Sequence, residues 1–287
     1  MFDSVKQKWL AIKLITRMDK PIGSYLLLWP TYWALWIASD GWPNLHLFIV
    51  FSLGVFVMRS AGCVINDLAD MKIDGKVERT KGRPLISGII SKAEAINLFG
   101  LLIGIALGLV LTLTWSTIYL SVVALFLAAS YPFMKRYTQL PQVVLGAAFS
   151  WGMIMAFSEI QGHIPTIAWL LFAANMLWTV AYDTMYAMVD RDDDFKIGVK
   201  STAILFGEHD KRIIGFLQLL VLGLLFTVGE QLAFGWPYQL SLVITGGLFA
   251  YQQMLIINRE RDKCFQAFLH NHWVGMVIFI GIMIEYF

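Results

Sequence analysis

The chain has 287 residues, 58% of them hydrophobic and 15% charged, with a formal net charge of +2. A soluble domain carries about 25% charged residues, so the composition excludes an ordinary soluble protein, and near-neutrality offers nothing to a nucleic acid. The two cysteines, Cys63 and Cys264, lie far apart, which excludes a disulfide framework or a thiolate metal site.

In chain order, the first twenty residues hold no apolar core followed by a cleavage site, so no cleaved signal peptide is expected. Phe2, Val5, Trp9 and Ile12 recur at helical spacing among Lys6, Lys8 and Lys13. That pattern predicts a short helix lying on an anionic membrane surface. Nine apolar segments follow, near 21–39, 45–65, 95–113, 116–134, 141–158, 164–186, 212–230, 236–257 and 269–286. Each approaches the ~20 residues that span a bilayer core as a helix. The expected fold is therefore all-α and membrane-integral, with nine transmembrane helices in a single domain covering residues 1–287.

Lys and Arg placement sets the expected orientation. All but Arg59 fall before the first segment or in the connections after the second, fourth, sixth and eighth. The opposite connections and the C-terminus hold Asp40, Glu159, Glu230 and Glu285 with no basic residue. The N-terminus is thus expected in the cytoplasm and the C-terminus outside.

Two long cytoplasmic connections, four helices apart, open with clustered carboxylates. The first reads Asn66-Asp67-x-x-Asp70-x-x-x-Asp74, and the second Asp183-x-x-Tyr186-x-x-x-Asp190-Arg191-Asp192-Asp193-Asp194. A shift of 120 residues lays Asn66, Asp70 and Asp74 over Tyr186, Asp190 and Asp194. This suggests two four-helix halves, about 20–134 and 141–257, plus a ninth helix. Residues four apart share a helix face, so Asp70/Asp74 and Asp190/Asp194 form two acidic faces, with Asp183 two turns deeper on the second. Like charges at that spacing repel, and carboxylates near a membrane core are costly. A hard cation resolves both problems, and Mg²⁺ suits carboxylates combined with substrate phosphates. Asp192 and Asp193 read equally well as solvated residues.

Basic residues stand beside both clusters. Arg83 follows Gly82 and precedes Pro84, Lys200 precedes Ser201, and Lys135-Arg136 close the fourth segment. Carboxylates, a divalent cation and nearby bases are the composition of a polyphosphate site. Arg59, seven residues before Asn66 and inside a span, is a functional candidate by position alone. The five histidines show no ligand spacing, and no phosphate-binding glycine loop or nucleophile elbow is present.

These motifs, with Gly82-Arg83-Pro84-Leu85, Tyr131-Pro132-x-x-Lys135-Arg136-Tyr137-Thr138 and Arg17-x-x-Lys20-Pro21, resemble those of the UbiA superfamily of intramembrane prenyltransferases. The likeness covers nearly the whole chain. Within the family the wording lies closest to the bacterial enzymes of ubiquinone biosynthesis that act on 4-hydroxybenzoate. The resemblance implies a nine-helix fold in the bacterial inner membrane, with a central cavity open sideways to lipid. It implies Mg²⁺ held between the two motifs and bound to a polyprenyl diphosphate. It implies transfer of the prenyl chain to the ring carbon ortho to the hydroxyl, with release of diphosphate.

On that reading Asp70, Asp74, Asp190 and Asp194 are the metal ligands. Asn66, Arg83, Lys135 and Lys200 serve the diphosphate, and Arg136 the benzoate carboxylate, with Lys135 able to exchange roles with it. Asp183 or Tyr186 accepts a proton from the phenol or orients it, and Arg59 faces the acidic cluster. Other acceptors, namely dihydroxynaphthoate, homogentisate, haem or a glycerol phosphate ether, keep the same chemistry. A CDP-alcohol phosphotransferase would need all its Asp residues in one short segment. A cation transporter would spread its carboxylates toward mid-membrane and both sides.

Overall fold

The computed structural model describes residues 2–74, 80 and 82–287, and their side chains from residue 7 except those of 72–74 and 197. Long uncharged runs leave the backbone no polar partner but itself, so they close into helices. The elements are α1 (Phe2–Ile15), α2 (Ile22–Ala38), α3 (Leu45–Asp74), α4 (Lys92–Val110), α5 (Trp115–Tyr137) and α6 (Pro141–Gln161). They continue with α7 (Thr166–Ile197), α8 (Thr202–Phe206), a 3₁₀ turn at Gly207–His209, α9 (Asp210–Gln231), α10 (Trp236–Leu255) and α11 (Arg261–Glu285).

Local chemistry sets the boundaries. Ser91 and Glu94 form a reciprocal capping box that starts α4. Pro141 and Pro237 occupy the first positions of α6 and α10, where a missing N–H is harmless. Gly162 and Gly198 end α6 and α7 in the left-handed conformation. Each of the nine predicted apolar segments falls on a helix. Among the described residues, six helical stretches are long and apolar enough to cross a bilayer: Leu45–Met71, Lys92–Val110, Trp115–Tyr137, Pro141–Gln161, Thr202–Gln231 and Arg261–Glu285.

The packing has an inside and an outside. The core lies among α2, α6, α7 and α11, where Leu26, Trp33, Met153, Ile154, Leu171 and Trp178 are buried. Trp33 stacks on Trp178 with ring centroids 5.7 Å apart. Their indole N–H groups donate to the Gly275 carbonyl at 2.9 Å and to Asn271 Oδ1 at 2.8 Å. Buried indoles are thereby satisfied. At Gly275 a Cβ would come within 2.9 Å of Trp29, so only glycine lets α11 approach α2 this closely. In contrast α4 and α5 present Leu101, Tyr119, Val122 and Phe126 outward. A continuous apolar outer face is what lipid requires.

The N-terminal helix forms as expected, and one side of it packs on the protein. Ala11 and Ile15 are buried against Val64, Leu85 and Ala95, while Trp9 is 66% exposed. Lys8 Nζ reaches Glu94 Oε1 at 2.5 Å, which ties α1 to the start of α4. α3 and α7 run on past their apolar segments, to Asp74 and to Ile197, so the carboxylates sit on regular helix, as their spacing of four predicts.

Candidate active site

One cavity of about 1250 Å³ opens among α2, α3, α4, α5, α6, α7 and α11. Helical periodicity brings its polar wall together. From α3 come Arg59, Asn66, Asp67 and Asp70, and from α7 Asp183, Tyr186, Asp190 and Asp194. Lys135 reaches in from the end of α5, Arg83 from the turn after α3, and Lys200 from the segment after α7. The deeper wall is apolar, with Ile103, Leu107 and Val110 of α4 facing Ala124, Leu125 and Ala128 of α5.

Asp70 is buried, at 2% exposure. Its Oδ2 accepts from the Lys135 ammonium, while its buried Oδ1 has no hydrogen-bond partner. A buried carboxylate oxygen without a donor is costly. Asp67 is equally buried but fully engaged: Arg17 Nη2 reaches its two oxygens at 2.9 and 3.1 Å, and Arg83 Nη1 reaches Oδ1 at 2.9 Å. The side chain of Asp74 lies outside the described residues. Among the described residues, no three acidic or histidine side chains converge closely enough to hold a metal ion.

Arg59 stands deeper in the cavity. Its guanidinium lies over the Phe149 ring, 6.0 Å from the centroid, and its buried Nε has no hydrogen-bond partner. It occupies the space that Gly23 leaves: a Cβ there would fall 2.5 Å from Nε and Nη2. Asp183, two turns before Asp190, has Arg59 and Gln142 as its electrostatic neighbours. Gln142 is fixed in turn, because its Oε1 accepts from the Thr202 N–H at 3.2 Å. Thr202 also shares a 2.7 Å hydrogen bond with Thr184 of α7.

Two of the predicted residues point elsewhere in part. Arg136 is absent from the cavity wall. Its Nη2 donates to the Ala69 carbonyl at 2.7 Å and its guanidinium covers Phe133. Lys200 lines the cavity, yet its Nζ donates to the Tyr137 carbonyl at 3.3 Å, and its N–H to the Lys135 carbonyl at 3.3 Å. Asp192 and Asp193 lie outside the cavity and face Arg261 at 3.5 and 3.4 Å.

Sequence reasoning missed Gln142, Gly23 and the roles of Arg17 and Asp67. Asp67 carried a signal, its place inside the first acidic cluster. Gly23 and Gln142 carried none, because their importance comes from helices distant in sequence.

Two acidic helix ends, clustered bases and an apolar extension thus line one cavity. The matching family model is the UbiA prenyltransferase family, over residues 27–275, and the chain belongs to that family. It is 78% identical over 286 residues to the 4-hydroxybenzoate octaprenyltransferase of Colwellia psychrerythraea, with 100% of each chain covered. It is 57% identical over 281 residues to the enzyme of that name from Citrobacter koseri, covering 98% of this chain and 97% of the other. Among solved structures, a UbiA homolog from Aeropyrum pernix K1 superposes with a TM-score of 0.81 at 25% identity, over 92% of this chain and 98% of that one. A UbiA homolog from Archaeoglobus fulgidus, solved with GPP and Mg²⁺, shares the fold with a TM-score of 0.70 at 16% identity, over 95% of this chain and 99% of that one.

Proposed function

We propose that this chain transfers a polyprenyl group from polyprenyl diphosphate to the carbon ortho to the hydroxyl of 4-hydroxybenzoate, releasing diphosphate, as a step of ubiquinone biosynthesis. The observation that carries the reading is the single cavity in which carboxylates of two helix ends and a cluster of basic side chains meet an apolar extension. Identity of 78% to a 4-hydroxybenzoate octaprenyltransferase, end to end, supports the acceptor.

Mg²⁺ fits the residues present. The donors are hard oxygens, and Asp70 Oδ1 is buried with no partner. Mg²⁺ characteristically takes one or two carboxylates and completes its shell with water and substrate phosphate, so a three-carboxylate cage is not required. Asp70, Asp190 and Asp194, with Asp74, would hold it. When bound, the cation neutralises charge that builds on the leaving diphosphate.

Arg83, Lys135 and Lys200 neutralise the remaining diphosphate charge and orient its allylic ester. As the C–O bond breaks, positive charge develops on the prenyl C1, and the apolar wall keeps water from it. The electron-rich ring carbon attacks, a C–C bond forms, and the ring proton leaves. Asp183, held by Gln142, or Tyr186 receives or relays that proton. We assign the benzoate carboxylate to Arg59 rather than Arg136. Arg59 faces the cavity with an unused buried N–H, whereas Arg136 is turned toward the Ala69 carbonyl.

Nine spanning helices, with N-terminus and site in the cytoplasm and C-terminus outside, complete the reading. All Lys and Arg other than Arg59 then lie on one side of the bacterial inner membrane. The half-chain duplication is supported by α3 and α7, since the 120-residue shift lays Leu45–Asp74 almost onto Thr166–Ile197. Membranes containing the protein, given a polyprenyl diphosphate and radiolabelled 4-hydroxybenzoate, should form a lipid-soluble labelled product with Mg²⁺ and none with EDTA. No product from folded protein would discard this acceptor.

A further inference from the structure

Asp67 is a buried acidic residue of the cavity wall that the proposed chemistry does not use. It is 1% exposed, one turn before Asp70, yet its bonding is the opposite. Oδ1 accepts from both Arg17 and Arg83, and Oδ2 accepts from Arg17. Both oxygens are engaged by guanidinium groups, whereas Asp70 keeps one buried oxygen without a donor.

The two arginines come from segments that have no long helix to aim them. Arg17 lies in the turn after α1 with φ of 57°, in the left-handed region. A residue with a Cβ persists there only when its surroundings over-determine it. Here the guanidinium is pinned at both ends: Nη1 donates to the Leu14 carbonyl at 2.6 Å and Nη2 to Asp67. Arg83 sits in a turn, its N–H on the Thr80 carbonyl at 3.0 Å and its own carbonyl accepting from Ser87 at 2.9 Å. Both side chains line the cavity beside Lys135. Two guanidinium groups that share one oxygen repel each other, and a buried anion between them is what lets them stand together.

We infer that Asp67 is a positioning residue: its carboxylate sets Arg17 and Arg83 against the diphosphate and, through Arg17, fastens α1 to the site. The inference rests on the diphosphate reading above. It divides the first acidic motif into an arginine-holding member, Asp67, and a cation-facing member, Asp70.

The test uses the full chain purified in detergent, with three readouts: binding of inorganic diphosphate, the thermal shift caused by Mg²⁺ alone, and steady-state transfer. Asp67→Asn keeps the shape and removes the charge. Diphosphate affinity and KM for the prenyl diphosphate should worsen about tenfold, the order expected when charge-assisted hydrogen bonds lose their alignment. KM for 4-hydroxybenzoate and the Mg²⁺ thermal shift should stay near wild type, and Asp67→Glu should recover part of the loss. Arg17→Gln should act in the same direction, and the double variant should be no worse than the worse single one, since the two residues act as a unit.

Loss of the Mg²⁺ shift in Asp67→Asn, to the level of Asp70→Asn, would make Asp67 a metal ligand and overturn the inference. Unchanged diphosphate affinity would also overturn it. If Asp67→Asn does not fold, Arg17→Gln decides alone: a raised KM for the prenyl diphosphate supports the inference and an unchanged one overturns it. If the wild type forms no prenylated 4-hydroxybenzoate, the acceptor reading fails, while diphosphate binding still decides the role of Asp67.

Discussion

Replacing Gly23 with alanine separates the fold from the site, because the atoms nearest the added methyl all belong to the end of one side chain. The new Cβ would lie 2.5 Å from Nε and Nη2 of Arg59 and 2.9 Å from Cζ. An ordinary non-bonded separation is about 3.5 Å, so the guanidinium must move by ~1 Å. Such a shift is cheap for the fold, since a flexible side chain absorbs it and alanine suits a helix better than glycine. It is not cheap for binding. A hydrogen-bonded contact to a charged group is worth about 1.5–3 kcal/mol. Forfeiting roughly half of it gives about a three- to tenfold rise in KM for 4-hydroxybenzoate, at about 1.4 kcal/mol per factor of ten. The assay is steady-state transfer in membranes, varying each substrate in turn, with the unfolding midpoint in detergent as control. KM for the prenyl diphosphate should not move. An unchanged 4-hydroxybenzoate KM at wild-type stability would refute the placement of the carboxylate at Arg59, and a rise confined to the prenyl diphosphate would move Arg59 to the other substrate.

The remaining predictions probe other parts of the wall. Asp70→Ala and Asp190→Ala should each abolish transfer while leaving a folded protein in detergent; full activity in either would remove it from the metal set. Arg136→Ala should leave KM for 4-hydroxybenzoate within about twofold, because its guanidinium serves a backbone carbonyl; a large acceptor-specific rise would restore it to the carboxylate. Asp210→Asn should lower the unfolding midpoint sharply. Asp210 is fully buried and holds Arg191 at 2.5 Å and Arg259 at 2.8 Å, and breaking a buried ion pair costs about 3–5 kcal/mol. An unaltered midpoint by thermal denaturation would show that water compensates both arginines.

Much of the architecture was legible in the residues themselves. Hydropathy marked every long helix, because a backbone in lipid has no alternative to closing its own hydrogen bonds. Spacing of four marked the acidic faces: Asp70 on α3, and Asp183, Asp190 and Asp194 on α7, do line one cavity. What spacing could not supply was direction beyond a single helix. Lys135 and Arg136 are neighbours with the same charge, yet one turns to Asp70 and the other to the Ala69 carbonyl, because adjacent helical residues point about 100° apart. Arg59 was conspicuous as an intramembrane charge, but only the packing of α2 on α3 shows Gly23 clearing its place. Asp67 and Asp70 look alike in sequence. Only the approach of Arg17 from the N-terminal turn and Arg83 from the following one engages the first on both oxygens and leaves the second with one buried oxygen unmet. Composition and periodicity thus determined the helices, the membrane and the acidic faces, which depend on each residue's near neighbours. The tertiary structure decided which charge meets which, because those partners come from segments that sequence keeps far apart.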